Sequence, residues 1–247
     1  MTTKGITDIV FCLDASDSMK PCFERMRKHI GDFIAGLGSN TQIQWDWRID
    51  FMAHSADGSA FRGESLFNVE KLLDSLYEDQ RQGRFFTSDL EEFRRGLERV
   101  RLFSDEAPLI ALDCCLDFPW RKATQCHRVV VLMTDEPFET AASQPEQLAM
   151  MQTLIEKIQR LRVILHLVAP DSQAYDTLSS VEKCEYEVVD RSGDGLASVD
   201  FHQVLSAIGK SVSVCDWQMP KPDTVPRGIF GQAGWGETTS MSRKDRA

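Results

Sequence analysis

Asp14-Ala15-Ser16-Asp17-Ser18 follows directly on the apolar run Ile9-Val10-Phe11-Cys12-Leu13, and Asp135 closes a second run, Val129-Val130-Val131-Leu132-Met133-Thr134. One carboxylate and two hydroxyls on a single turn, from Asp14, Ser16 and Ser18, are oxygen donors of the kind that suits a hard divalent cation. A loop this short cannot enclose an ion, so the site needs ligands from elsewhere and stays open to a partner. The competing use of these residues is a helix N-cap, in which a Ser or Asp oxygen accepts a free amide hydrogen. Capping requires one such residue and gives no reason for a matching Asp135. Asp17, between the two hydroxyls, is expected to face solvent.

Both acids need elements that bring them together. Phe23, Met26, Ile30, Phe33, Ile34 and Leu37 recur at three- and four-residue steps, the period of a helix with one buried face, and Pro21 falls in its first turn. Ile43, Trp45, Trp47, Ile49 and Phe51 alternate with polar residues, which predicts a half-exposed strand from about Ile43 to Ala53. A short edge strand over 59–63 is expected to pair with it. Helices are predicted over 68–79, 89–100 and 108–118, then 144–160, 174–181 and 199–212. Strands are predicted at 163–168 and 186–189, besides the two apolar runs. Alternating strands and helices imply an α/β fold: a doubly wound, mostly parallel sheet with helices on both faces. Right-handed crossovers then place the loops after Leu13 and Thr134 at the same carboxyl edge, where the strand order reverses and ligands bind.

The Asp-x-Ser-x-Ser turn and the apolar run ending in Thr134-Asp135 resemble the metal-ion-dependent adhesion site of von Willebrand factor type A (vWA) domains, a Rossmann-like fold. The likeness spans roughly residues 5 to 214, which implies a vWA domain over 1–214 and a tail over 215–247. In that family a second loop adds a Thr or an acid. Glu106-Ala107-Pro108 with Leu112-Asp113, and Trp120-Arg121 beyond, is similar to bacterial members that carry an acid there. Glu106 is the choice, Asp105 the next, and Thr87 the other candidate. The resemblance implies Mg2+ or Mn2+ held by Asp14, Ser16, Ser18, Asp105 or Glu106, and Asp135. It also implies a protein partner that offers an acidic side chain to the metal. An acid at 106 neutralises more of the ion's charge, so it should tighten metal binding and weaken recruitment of an outside carboxylate. Similar bacterial proteins accompany kinases, phosphatases, ATPases or tellurite-resistance proteins, which implies a stress or defence setting.

Composition narrows the alternatives. The 247-residue chain carries a net charge of −10 and shows no basic stripe, which argues against nucleic acid. Its seven cysteines lack Cys-x-x-Cys spacing and are expected to be buried thiols. No signal peptide or membrane-length apolar run is visible, so a cytoplasmic location is expected. The five histidines share no ligand spacing, and no phosphate-binding glycine motif occurs. With no nucleophile, base or histidine beside the loop, a binding module is expected rather than an enzyme. The alternative is a magnesium-dependent phosphohydrolase of the haloacid dehalogenase type. Its Asp-x-Asp motif meets Ser16 at the second acid. A third reading is a packing platform whose site has decayed. Beyond Cys215, Trp217, Phe230 and Trp235 interrupt a Pro- and Gly-rich tail, and Thr238, Thr239, Ser240 and Ser242 near Arg243 and Lys244 could accept phosphate.

Overall fold

The computed structural model describes residues 4–39, 44–57, 60–67, 71–72, 84–102, 105–190, 196 and 199–203. The strands are β1 (Lys4–Asp14), β2 (Gln44–Asp57), β3 (Ala60–Ser65), β4 (Lys71–Leu72), β5 (His127–Met133), β6 (Val163–Pro170) and β7 (Cys184–Val189). The helices are α1 (Lys20–Ser39), α2 (Leu90–Glu98), α3 (Pro108–Leu116), α4 (Gln144–Leu161) and α5 (Gln173–Ser179). They build one seven-stranded sheet of order β4-β3-β2-β1-β5-β6-β7. β2, β1, β5, β6 and β7 run parallel; at one side β3 pairs antiparallel with β2, and β4 pairs antiparallel with β3. The predicted doubly wound α/β architecture is thus the one observed.

Each face of the sheet has its own core. Ile9, Phe11 and Leu13 of β1 pack with Met26, Ile30 and Phe33 of α1 and Phe93 and Leu97 of α2. Val10 and Cys12 point the other way, to a core with Leu112 and Cys115 of α3, Leu154 and Ile158 of α4, and Tyr175 of α5. A central parallel strand covered on both faces has no solvent side, which is why β1 and β5 read as continuous apolar runs. α3 is likewise buried nearly all round, Leu109, Ala111, Leu112, Cys114, Cys115 and Leu116 being 0–1% exposed.

The half-exposed reading of β2 holds for residues 45–48, which are half-buried, and is corrected from Ile49 on. Residues 49–56 are buried on both faces, polar Asp50, His54 and Ser55 included. From Ile49 on, alternation does not mark a wet face: Asp50 has internal partners, and both ring nitrogens of His54 are buried without a hydrogen-bond partner among the described residues. Asp50 accepts the backbone N–H groups of Phe51 (2.8 Å), Leu66 (3.2 Å) and Phe86 (2.8 Å), and the last of these holds Phe86 at a left-handed φ of 58°. The expected edge strand is also displaced, since β3 has β4 outside it. Lys71 and Leu72 are strand where a helix over 68–79 was expected, and the rest of that helix lies outside the described residues. So do the tail over 215–247, its phosphorylation candidates and most of the helix expected over 199–212, of which residues 201–203 are helical. Six described cysteines are free thiols, all buried except the half-buried Cys184. Among the described residues no helix is long and apolar enough to cross a membrane.

Candidate metal centre

Leu13 of β1 pairs with Met133 of β5, so the residues that follow, Asp14 and Thr134, emerge side by side at the carboxyl edge. The strand order reverses between these two strands, and both turns open over the crevice this creates. A third loop arrives from the approach to α3. The carbonyl of Asp105 accepts the Ala56 N–H at the end of β2, and the carbonyl of Glu106 accepts the Ala142 N–H. Gln147 of α4, fully buried, also accepts the Leu109 N–H, doing for α3 what its own N-cap Ala107 cannot. Glu106 is fixed at both its flanks, and its side chain has only the interior to enter.

The three loops meet through their oxygens. Ser16 donates its N–H to Asp14 Oδ1 (2.7 Å), the Ser16 and Ser18 hydroxyls are 2.9 Å apart, and Ser18 Oγ donates to Asp135 Oδ1 at 3.1 Å. Thr134 Oγ1 lies 3.1 Å from Asp14 Oδ2 and 3.0 Å from Glu106 Oε2. Its one proton serves either carboxylate at a time, and its lone pair accepts the Glu136 N–H. Asp14, Ser16, Glu106, Thr134 and Asp135 are all buried. Ser18 is half-buried, and Asp17 faces solvent as expected.

Burial of two carboxylates so close has an electrostatic consequence. Burial, then the hydrogen bond and negative charge of Asp14, push the Glu106 carboxyl up to about 11, against the smaller opposing effect of Thr134. Glu106 therefore holds a proton at neutral pH, since a second buried carboxylate beside Asp14 cannot ionise without a compensating charge. Among the described residues no three His, Cys, Asp or Glu side chains form a ready ligand set by themselves. Hydroxyls supply the remainder of the donors.

The donor set fits a small hard cation on two counts. Ser16 occupies the N-cap of the 3₁₀ turn Asp17–Met19, yet its hydroxyl makes no capping bond and turns to Ser18 instead. Capping, the competing explanation, is thus not what that hydroxyl does. The proton held by Glu106 also offsets charge that a bound cation would offset in its stead. Asp14, Ser16, Ser18, Glu106 and Asp135 are brought together; Asp105 is not, its side chain being exposed. Thr87 is also elsewhere, its hydroxyl donating to Glu92 (2.7 Å) and accepting the Asp89 N–H at the start of α2. Glu106→Ala should therefore lower metal affinity by about tenfold or more, whereas Asp105→Ala should leave it unchanged within error. Calorimetric titration with Mg2+ and Mn2+ checks both, and equal losses would remove Glu106 from the site.

Two residues near the centre were not singled out from the sequence. Thr134 links Asp14 to Glu106, and its signal was present in the Thr-Asp pair that ends the apolar run. Tyr175 of α5 is fully buried and its hydroxyl has no hydrogen-bond partner among the described residues. Burial, then the charges of Glu106 and Asp14, push its ionisation well up. No periodicity distinguishes this tyrosine from an ordinary core residue.

No protein-family model and no curated protein sequence matches the chain. Solved structures do match it. A von Willebrand factor type A protein from Catenulispora acidiphila superposes with a TM-score of 0.55 at 12% identity, over 86% of this chain and 44% of that one. The human COPII-coat protein Sec24c superposes with a TM-score of 0.52 at 12% identity, over 84% of this chain and 32% of that one. The chain spans less than half the length of either, and these likenesses show its fold: a Rossmann-like α/β sheet of the vWA kind.

Proposed function

We propose that this chain is a divalent-cation-dependent protein-interaction module. Asp14, Ser16, Ser18, Glu106 and Asp135 would hold Mg2+ or Mn2+, with Thr134 as a further donor or orienting group. The bound ion would supply a Lewis-acidic position for an acidic side chain of a protein partner. The observation that carries this reading is the mutual bonding of oxygens from three separate loops at the strand-order reversal. Folds of the vWA kind commonly mediate protein interactions, which supports a binding role over turnover. The reading extends, by the family resemblance alone, to a cytoplasmic bacterial protein that serves a kinase, phosphatase or ATPase in stress or defence.

The third acid sets the balance between metal and partner. Glu106 would release its proton to solvent as a cation binds, and its charge would then offset part of the ion's. Glu106→Gln is expected to weaken Mg2+ binding while strengthening retention of an acidic partner at saturating metal. The decisive measurement compares proteins retained by the immobilised chain in Mg2+ with those released by a chelator. A partner that stays bound in chelator, and is held equally by Asp14→Ala, would overturn metal dependence. Phosphatase assays separate the enzymatic alternative: no turnover is expected, and Mg2+-dependent hydrolysis lost in Asp14→Asn would replace the module with a hydrolase.

A further inference from the structure

The opposite, amino edge of the sheet carries chemistry of the other sign. A cavity of about 30 Å³ opens between the end of α4 and the starts of β6 and β7, with Val163 and Val181 as apolar wall and Gln159, Arg162, Glu182 and Lys183 as polar lining. Lys183 is 4% exposed, and Arg162 Nη1 is buried without a hydrogen-bond partner among the described residues. Arg128, the neighbour across β5, donates to the Arg121 and Leu161 carbonyls, so the last turn of α4 already has a cation on its free carbonyl. Arg162 is therefore not needed there as a helix cap.

Its backbone sharpens the point. Arg162 sits at the C-cap of α4 with φ 56° and ψ 47°, the left-handed region. Gly or Asn takes such a position at little cost, whereas an Arg costs about 1 kcal/mol or more. Strain of this kind that persists points to a task for the side chain. The charge around it is crowded and positive. Burial, then Arg128, push the Arg162 guanidinium down, and burial, then Lys183, hold His127 down to about 3. Glu182 is the acid in the lining and is exposed. Asp8 acts on Arg128 from a distance while bonded to Arg48 and Arg121. In a chain of net charge −10, this is a local basic concavity.

We propose that this cavity binds a small oxyanion of phosphate chemistry, held between Arg162 and Lys183. Room for about two waters admits one or two phosphoryl oxygens and leaves the remainder of the group in solvent, so no base or sugar would be enclosed. A guanidinium offers such oxygens a two-pronged donor, and a buried ammonium adds a point charge. Free phosphate and the phosphorylated side chain of a partner present the same group. The site lies at the other end of the strands from Asp14 and does not rest on the metal reading.

Calorimetry in the presence of a chelator, with inorganic phosphate as titrant, tests the proposal while the cation site is silent. Binding is expected at millimolar phosphate, with a loss of about tenfold or more in Arg162→Gly and in Lys183→Met, and no change in Asp14→Ala. Arg162→Gly is also expected to melt at the same or a higher temperature without phosphate, because glycine relieves the left-handed backbone. A phosphoserine peptide that binds about tenfold more tightly than phosphate would assign the site to a phosphorylated partner, and equal or weaker binding would assign it to free phosphate. Absence of phosphate binding, equal binding by Arg162→Gly, or a lowered melting temperature in that variant would overturn the assignment.

Discussion

Asp14→Ala is expected to abolish Mg2+ binding, with a loss of about 100-fold or more in affinity, because it removes the carboxylate to which all three loops are tied. Asp14 Oδ1 orders the Ser16 amide and Oδ2 meets Thr134, so the substitution also releases the two serines. Thermal unfolding with and without the ion reads the result: the native protein gains melting temperature in Mg2+ and the variant does not. No gain in the native protein with either Mg2+ or Mn2+ would remove the metal from the proposed function.

The same site predicts a proton count. Glu106 is pushed up to about 11 by burial and by Asp14, so at pH 7 it enters the binding reaction protonated. A cation that takes its place expels that proton, which makes binding release close to one proton at neutral pH. Affinity should then rise as pH rises, by up to about tenfold per unit while Glu106 stays protonated in the free protein. Calorimetry in two buffers of different ionisation enthalpy measures the release, and it should vanish in Glu106→Gln.

The largest expected effect on stability lies at the other end of β1. Asp8 is fully buried and takes 2.7 Å bonds from Arg48 Nε and Nη2, a 2.7 Å bond from Arg121 Nε and a 2.8 Å bond from the Arg121 amide. Burial pushes Arg121 down, yet the charges of Asp8 and Cys126 and the hydrogen bonds to Asp46 and Asp8 together outweigh it and hold the guanidinium above its ordinary value. Asp8→Ala leaves two guanidinium groups facing each other without their common acid, a change that costs about 3–5 kcal/mol. For a domain of this size that corresponds to a drop of very roughly 6–20 °C in melting temperature. Asp8 and Asp14 are six residues apart on an extended strand, about 20 Å. Metal affinity should be unaltered in the folded variant, so a variant that keeps its melting temperature or loses metal binding would contradict this division of labour.

Some of this was readable along the chain. The continuous apolar runs before Asp14 and Asp135 already required strands covered on both faces, because a strand with a wet side shows alternation. Helical periodicity located α1, α2, α3 and α4 to within a few residues, since each buries one face or more against the sheet. With strands and helices alternating, chain chirality placed two distant acids at one edge. The spacing Asp14, Ser16, Ser18 is local and needs no partner to be seen.

Other features depended on the folded molecule. Whether Thr87, Asp105 or Glu106 completes the cluster was decided by two backbone carbonyls pinned to Ala56 and Ala142, which turn residue 106 inward and residue 105 outward. The second half of β2 misled because Asp50 alternates with apolar neighbours as a surface residue does, while its burial depends on elements far along the chain. Likewise, the proton held by Glu106 beside Asp14 and the charge crowding around Arg162 arise from proximity between segments distant in sequence. Local pattern reports what each residue prefers; electrostatics depends on distance and burial, and those exist only once the chain has closed on itself.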